Sequence, residues 1–293
     1  LLFRSDNPGA RIIVTGCAAQ IAPEKFAAMA EVDQVLGNTE KLLPESYRDS
    51  AGAAPVQVTD IMKETRAPEL IVPGFENRSR AFVQIQQGCD HRCTFCIIPK
   101  IRTTLRSKTV DDTVTEATRL VELGHKEIVL TGIFIGAYGH ETALRRKQEA
   151  PDREHLADLL DAVAQIDGLQ RLRISSMEPG DVTPVLLDAM VANKNIVPHL
   201  HLPLQSGSNT VLQKMNRQYN VGQYLEMIAM VNERLTVDGL PPAITTDIIC
   251  GFPTETDEDF AQTVGIAKQV RYLHMHVFPY SVRTGTAAAR WNQ

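Results

Sequence analysis

The sequence predicts an α/β protein, a partial, open (β/α)6 barrel preceded by the tail of another α/β unit. Two observations predict it. Apolar, β-branched runs recur at AFVQIQ (81–86), KEIVLTG (126–132), RLRISS (171–176), VPHLHLPL (197–204), AITTDIIC (243–250) and LHMHVFPY (273–280). Helical periodicity fills most of the intervals between them. Strands alternating with helices wind in one sense into a parallel sheet, and six are too few for a closed eight-fold barrel.

The elements justify themselves in order. RIIVTG (11–16) is an apolar run ending at Gly16-Cys17; PEKFAAMAEV has helical spacing and QVLG follows, so residues 1–50 read as the end of an α/β domain. Residues 51–78 are rich in Ala, Pro and Gly without a firm period and read as a linker. The barrel takes residues 79–293. After its first strand, Val114, Ala117 and Val121 share one helix face that Gly124 ends. Leu156, Leu159, Leu160 and Val163 mark a second face; Phe260, Val264 and Ala267 mark a third. Chemistry on such a sheet belongs at the C-terminal ends of the strands.

Composition narrows the class. The chain has 293 residues, 43% hydrophobic and 22% charged, enough for a full core. It has no run of eighteen apolar residues and no signal-peptide pattern, so no membrane association is expected. It does not begin with Met and reads as a fragment. An odd count of five cysteines, three of them clustered, argues for a reducing, cytoplasmic setting over a disulfide framework. Net charge is −5, yet between 76 and 108 Arg78, Arg80, Arg92, Lys100, Arg102, Arg106 and Lys108 face only Glu76 and Asp90. That stretch reads either as a phosphate-binding arm or as a solvated one.

The cluster is QGCDHRCTFCIIP (87–99), with Cys89, Cys93 and Cys96 directly after the first strand. Four readings compete. Structural zinc would need a fourth ligand, for which His91 is the candidate. A redox pair would use Cys93 and Cys96 and leave Cys89 idle. The thiols could be buried and structural. An iron–sulfur cubane held by three thiolates would keep one iron open for a ligand.

Cys-x-x-x-Cys-x-aromatic-Cys after the first strand of a (β/α)6 barrel resembles the signature of radical S-adenosylmethionine (SAM) enzymes. The resemblance implies that Cys89, Cys93 and Cys96 hold a [4Fe–4S] cluster whose open iron chelates SAM, and that Phe95 packs on adenine. One electron then cleaves SAM to methionine and a 5′-deoxyadenosyl radical. It implies SAM-lining roles for Thr131 and Gly132 after strand two, Gln205 and Ser206 after strand four, and Gly251 and Glu255 after strand five. Glu178 and Arg217 are further candidates, with a surface ion pair as the alternative. Each of these also has a bland reading as a turn, a cap or a backbone contact.

VTGCAAQ (14–20), GCDHRCTFCIIP (88–99), HLPLQSGSNTVLQKMNRQY (201–219), DIICGFPTETDEDF (247–260) and FPYSVRTGTAAA (278–289) together are similar to the methylthiotransferases. GCDHRCTFCIIP with GFPTET is most similar to the branch acting on N6-threonylcarbamoyladenosine at position 37 of tRNA. Sister branches act on isopentenyladenosine in tRNA or on a ribosomal-protein aspartate; a non-catalytic, metal-stabilised binding module is the reading of a different class. The resemblance implies an auxiliary [4Fe–4S] cluster in the full-length protein, with Cys17 as the third ligand and two more upstream, and a C-terminal RNA-binding β-barrel beyond Gln293. It also implies an electron donor such as flavodoxin or ferredoxin and a sulfur donor the sequence does not identify. Arg78, Arg80, Lys100, Arg102, Arg106 and Lys108 would flank the barrel mouth and meet the phosphates of the anticodon loop. Arg102-Thr103 departs from the Arg-Gly usual in relatives, and Cys250 reads as a small core residue.

Overall fold

The computed structural model describes residues 2–48, 54–60, 74–102, 104–140 and 155–291. The chain forms two compact units, one of residues 1–70 with 100–103 and one of residues 71–99 with 104–293.

In the first unit, β1 (Ile13–Thr15), β2 (Gln34–Leu36) and β3 (Val56–Gln57) form a parallel sheet in that order. Val35 and Leu36 in its central strand are fully buried. Helices α1 (Leu2–Asp6), α2 (Cys17–Ile21) and α3 (Pro23–Ala27) accompany it. Val56–Gln57 lies inside the stretch expected as linker, but pairing with β2 makes it part of the sheet. Two residues are too short a run to show a period.

The second unit holds β4 (Arg80–Gln87), β6 (Glu127–Gly132), β7 (Arg171–Ile174), β8 (His199–His201), β9 (Ala243–Cys250) and β10 (His274–Pro279). Adjacent members pair in parallel as β4–β6–β7 and β8–β9–β10, and a parallel bridge from Leu172 to Ile196 joins β7 to the approach of β8. These are the six expected strands. A short antiparallel strand, β5 (Arg106–Ser107), adds to the outer edge of β4 and was not anticipated. β8 keeps three residues of its eight-residue run because Pro198 and Pro203 bracket it and cannot donate to a ladder.

One helical turn, α4 (Ile98–Ile101), follows the cysteines. The longer helices are α5 (Val110–Glu122), α6 (His155–Ala164), α7 (Pro184–Ala192), α8 (Asn209–Lys214), α9 (Val221–Leu235) and α10 (Asp257–Val270). Side-chain oxygens of Thr109, Thr183, Ser208, Asn220 and Thr256 accept backbone N–H bonds at their starts. The core lies between helices and sheet, with Leu120, Ile128, Leu130, Leu159, Leu160, Leu172 and Leu200 fully buried. Each such side chain contributes about 1.5–3 kcal/mol of burial. Strand alternation sets Ala81, Val83 and Ile85 into that core and turns Phe82, Gln84 and Gln86 to the inner face.

The stripe expected on α10 is not its buried face. Phe260 is exposed and Val264 and Ala267 are half-buried, whereas Asp259 and Thr263 are buried. Hydrogen bonds to the loop after β8 draw that polar side inward.

Candidate active site at the ends of the strands

β4 delivers the cysteine loop through Gly88. Its φ is +86°, and a Cβ there would stand 2.0 Å from the carbonyl oxygen of Thr104, so only glycine fits. Gln86, buried at the end of the strand, secures the turn: its Nε2 donates to the carbonyls of Gln87 (2.8 Å) and Gly88 (2.9 Å). Its Oε1 accepts from the N–H of Phe134 (2.7 Å), beyond β6. Gly132 leaves room for it, since a Cβ there would lie 3.0 Å from the Gln86 Cβ.

The far half of the loop hangs from distant segments. Thr94 donates its N–H to Met215 O (3.1 Å) and its hydroxyl to Lys214 O (2.8 Å), both at the end of α8. Asn216 Nδ2 donates to Arg92 O (2.9 Å), and the N–H of Ala288 donates to Thr94 O (2.9 Å). Phe95 packs with the cluster of Val211, Met215, Phe252 and Ala288 and meets the Phe252 ring edge-on, centroids 6.3 Å apart. Cys89 lies against Leu105, Phe134 and Ala137.

The thiols are half-buried and unoxidised. Burial pushes Cys89 up to about 12, reinforced by Cys93, Cys96 and Asp90, although a backbone hydrogen bond at His91 favours the thiolate. Burial also raises Cys93, while Arg217 favours its thiolate. Arg217 reaches Cys93 Sγ at 3.3 Å and Glu178 Oε2 at 2.5 Å. The two side chains are 6% and 12% exposed, so this is a buried ion pair, not a surface one. Burial opposes the Arg217 charge, but Tyr219, Glu178 and Cys93 outweigh it and raise its pKa.

The remaining expected residues divide. Gln205 has φ +61°, rare outside glycine, and its buried Oε1 has no partner. Glu178 and Glu255 likewise each keep a buried, unpartnered Oε1. Ser206, fully buried, places its hydroxyl 3.3 Å from that of Thr263 and accepts from the N–H of Ser208. Thr131 donates to Val83 O (3.2 Å), and Glu255 Oε2 accepts from the N–H of Gly251 (2.5 Å), whose φ is +71°. The hydroxyls of Ser206 and Thr131 therefore hold loops and strands together.

The basic stretch does not gather at one end. Arg78 and Arg80 precede or open β4, and eight residues of strand, about 3.3 Å each, separate them from the cysteine loop. Arg80 is bound by Glu127 at 2.7 Å, and Lys108 is bound by Glu116. These two charges are engaged within the protein, which corrects the expectation that the whole stretch flanks the barrel mouth. In the first unit, Arg102 donates to Asn38 Oδ1 (2.9 Å), and Cys17 opens α2. Lys100 is exposed and Arg106 half-buried. Thr103, the departure noted in the sequence, lies outside the described residues.

Gln86 escaped the sequence reading. Its signal was a polar residue at the buried end of a strand beside a glycine.

The donor set can be tested against a metal. Among the described residues, no trio containing these thiols brings its ligand atoms within 4.8 Å of one another. Sulfurs on one zinc, each about 2.3 Å from it, would be closer than that. His91 packs against the Phe134 ring, centroids 4.3 Å apart. Half-buried thiols, one of them beside Arg217, with unpartnered Gln205 and Glu178 oxygens, fit a polynuclear cluster with a polar ligand beside it.

Three thiols on the loop after the first of six parallel strands make a candidate iron–sulfur site at the strand ends, the arrangement of a cluster-dependent enzyme. Residues 83–266 match the Radical SAM superfamily. The chain belongs to that superfamily, in its methylthiotransferase family.

It is 41% identical over 97% of its length to the threonylcarbamoyladenosine tRNA methylthiotransferase MtaB of Bacillus subtilis, covering 61% of that protein. It is 35% identical over 97% of its length to the protein of the same name from Aquifex aeolicus, covering 67% of it. A tRNA-2-methylthio-N(6)-dimethylallyladenosine synthase from Thermobifida fusca is 35% identical over 97% of the chain and is covered over 55% of its own length. The chain thus spans about three-fifths to two-thirds of the length of the MtaB relatives. Among solved structures, the radical SAM methyltransferase TsrM of Kitasatospora setae superposes with a TM-score of 0.56 at 15% identity, over 71% of this chain and 38% of that one. The cobalamin-dependent radical enzyme OxsB superposes with a TM-score of 0.56 at 12% identity, over 98% of this chain and 43% of that one. These likenesses concern the fold.

Proposed function

We propose that this chain is the catalytic core of a tRNA methylthiotransferase that adds a methylthio group to carbon 2 of N6-threonylcarbamoyladenosine at position 37. The observation that carries the reading is identity of 35–41% over nearly the whole chain to five relatives of that name.

Carbon 2 of adenine offers neither an acidic proton nor a leaving group, so proton transfer alone cannot open its C–H bond. The bound cluster and SAM supply a carbon-centred radical, the reagent such a bond requires. Cys89, Cys93 and Cys96 would hold the cluster. Phe95 offers an aromatic face to adenine, and Gln205 and Glu178 offer acceptor oxygens to a polar ligand. Arg217 holds Glu178 in place and keeps a positive charge beside Cys93. The packed aromatic side chains around Phe95 shield that side of the loop from water. Lys100, Arg102 and Arg106 are candidates for phosphate contact, which would weaken steeply as salt rises.

The test is mass spectrometry of tRNA nucleosides from cells with and without the full-length gene. Loss of the 2-methylthio derivative of threonylcarbamoyladenosine supports the proposal. Loss of the dimethylallyladenosine derivative instead, or no change, overturns it.

A further inference from the structure

The inner face of β8, β9 and β10 carries a set of side chains with no part in the cysteine site. Strand alternation puts Leu200 and Ile244 into the helix-covered core and turns His201, Asp247 and His276 the other way. His276 lies directly opposite Asp247 in the β9–β10 ladder, and His201 opposite Thr245 in the β8–β9 ladder, one step away. One ligand atom from each of His201, Asp247 and His276 lies within 4.8 Å of the other two.

We propose that His201, Asp247 and His276 bind one divalent transition-metal ion of the zinc class. Two imidazoles and one carboxylate are a donor set that zinc and its first-row neighbours accept, with a further position left for water or another lone-pair donor. The second shell is present too. His201 Nδ1 lies 2.9 Å from the hydroxyl of Thr245, itself 8% exposed. In the tautomer with its proton on Nδ1, the ring donates to that hydroxyl and leaves the Nε2 lone pair for a metal. Nε2 stands 3.2 Å from Asp247 Oδ2. Two donors each about 2 Å from one ion stand at such a separation. Ligating histidines are commonly held in this way by a partner on the other ring nitrogen. The His276 ring is oriented as well, stacked on Phe278 and edge-on to His274 with centroids 4.5 Å apart. Arg173, which acts electrostatically on neighbouring His199, is bound to Glu127 at 2.7 Å, a carboxylate it shares with Arg80 and Arg171. The sequence carries the signal as two His-x-His pairs, at 199–201 and 274–276.

The test uses the chain with its iron–sulfur cluster reconstituted, so that the thiols are occupied. It is equilibrated with zinc sulfate and desalted, and zinc and iron are counted by elemental mass spectrometry. About one zinc per chain is expected above the unsubstituted chain's starting content, with iron unchanged. His276→Ala and Asp247→Asn are each expected to bring zinc to background without loss of iron. His276 is exposed and Asp247→Asn keeps its volume, so both variants are expected to fold, which circular dichroism checks. Thr245→Val should weaken zinc affinity by about tenfold through loss of the orienting hydroxyl. Equal zinc retention in His276→Ala, Asp247→Asn and the unsubstituted chain would overturn the proposal. So would failure of the unsubstituted chain to retain any zinc, which would leave a His201–Asp247 hydrogen bond as the whole content of the cluster.

Discussion

Replacing Glu127 by alanine should destabilise the barrel unit more than replacing any one of its partners. Its carboxylate, 4% exposed, is held by Arg80, Arg171 and Arg173 at 2.7–2.8 Å. Arg80 and Arg171 are 48% and 45% exposed, so each pair is worth about 0.5 kcal/mol after solvent screening. Arg173 is 25% exposed, and its charge-assisted bond contributes about 1.5 kcal/mol. Three arginines left around a vacated carboxylate also repel one another. Glu127→Ala should therefore cost about 2–3 kcal/mol, which lowers the melting temperature of a unit this size by about 5–10 °C. Arg80→Ala should cost about 0.5 kcal/mol. Burial alone would raise the Glu127 pKa, but the hydrogen bonds from Arg171, Arg173 and Arg80 outweigh it and hold the carboxyl below its ordinary range. The sign follows: the stabilisation is full above about pH 4.3, the ordinary glutamate value, and is lost as pH falls through the depressed folded value. Thermal melts followed by circular dichroism from pH 7 down to pH 3 measure both effects. Equal losses in Glu127→Ala and Arg80→Ala, or the same acid sensitivity in Glu127→Ala as in the unsubstituted chain, would refute this account.

Cys93→Ala should abolish 5′-deoxyadenosine formation from SAM with dithionite, while Cys250→Ala, outside the loop, should keep most of it; product chromatography decides, and equal loss in both would break the division of roles. Arg217→Met should leave Glu178 buried and unpaired beside Cys93, at about 3–5 kcal/mol, and reduce iron per chain. The double variant with Glu178→Met should recover melting temperature without recovering SAM cleavage, and recovery of both would show that the pair serves stability alone. Gly207→Ala would set a Cβ 2.5 Å from the Thr263 Cα, backbone against backbone. Denaturant unfolding should show a loss of more than about 2 kcal/mol, and a smaller loss would mean the loop after β8 can move away from α10.

The barrel strands and the cysteine loop were legible because their signals are local. β-Branched runs mark strands wherever they sit, and three thiols within eight residues need no knowledge of the fold. What was not legible depends on partners far along the chain. Nothing near Arg80 announces that Glu127, 47 residues later, will bind it. Nothing near Phe260 says that α10 will turn Asp259 and Thr263 inward. There Ser208 donates its hydroxyl to Asp259 Oδ1 at 2.5 Å, and Gly207 donates its N–H to Thr263 Oγ1 at 2.9 Å. An apolar period predicts a buried face only where apolar contacts are what the helix meets. Arg217 and Glu178 read as ligand contacts or as a surface ion pair; that they bind each other in a buried pair emerges only once Tyr219 and the strand ends close around them.

The threads that hold Thr94 set an order of events. Its partners are Lys214, Met215 and Ala288, so the loop cannot close until the chain that carries them exists. A ribosome adds about 5–20 residues each second, so the 194 residues between Thr94 and Ala288 take about 10–40 s to emerge. Throughout that interval Cys89, Cys93 and Cys96 lie on an unfinished sheet, open to oxidants and to stray metal ions. The cysteine loop therefore cannot be pinned before the far end of the barrel is made, and a pause before residue 288 prolongs the exposure of all three thiols.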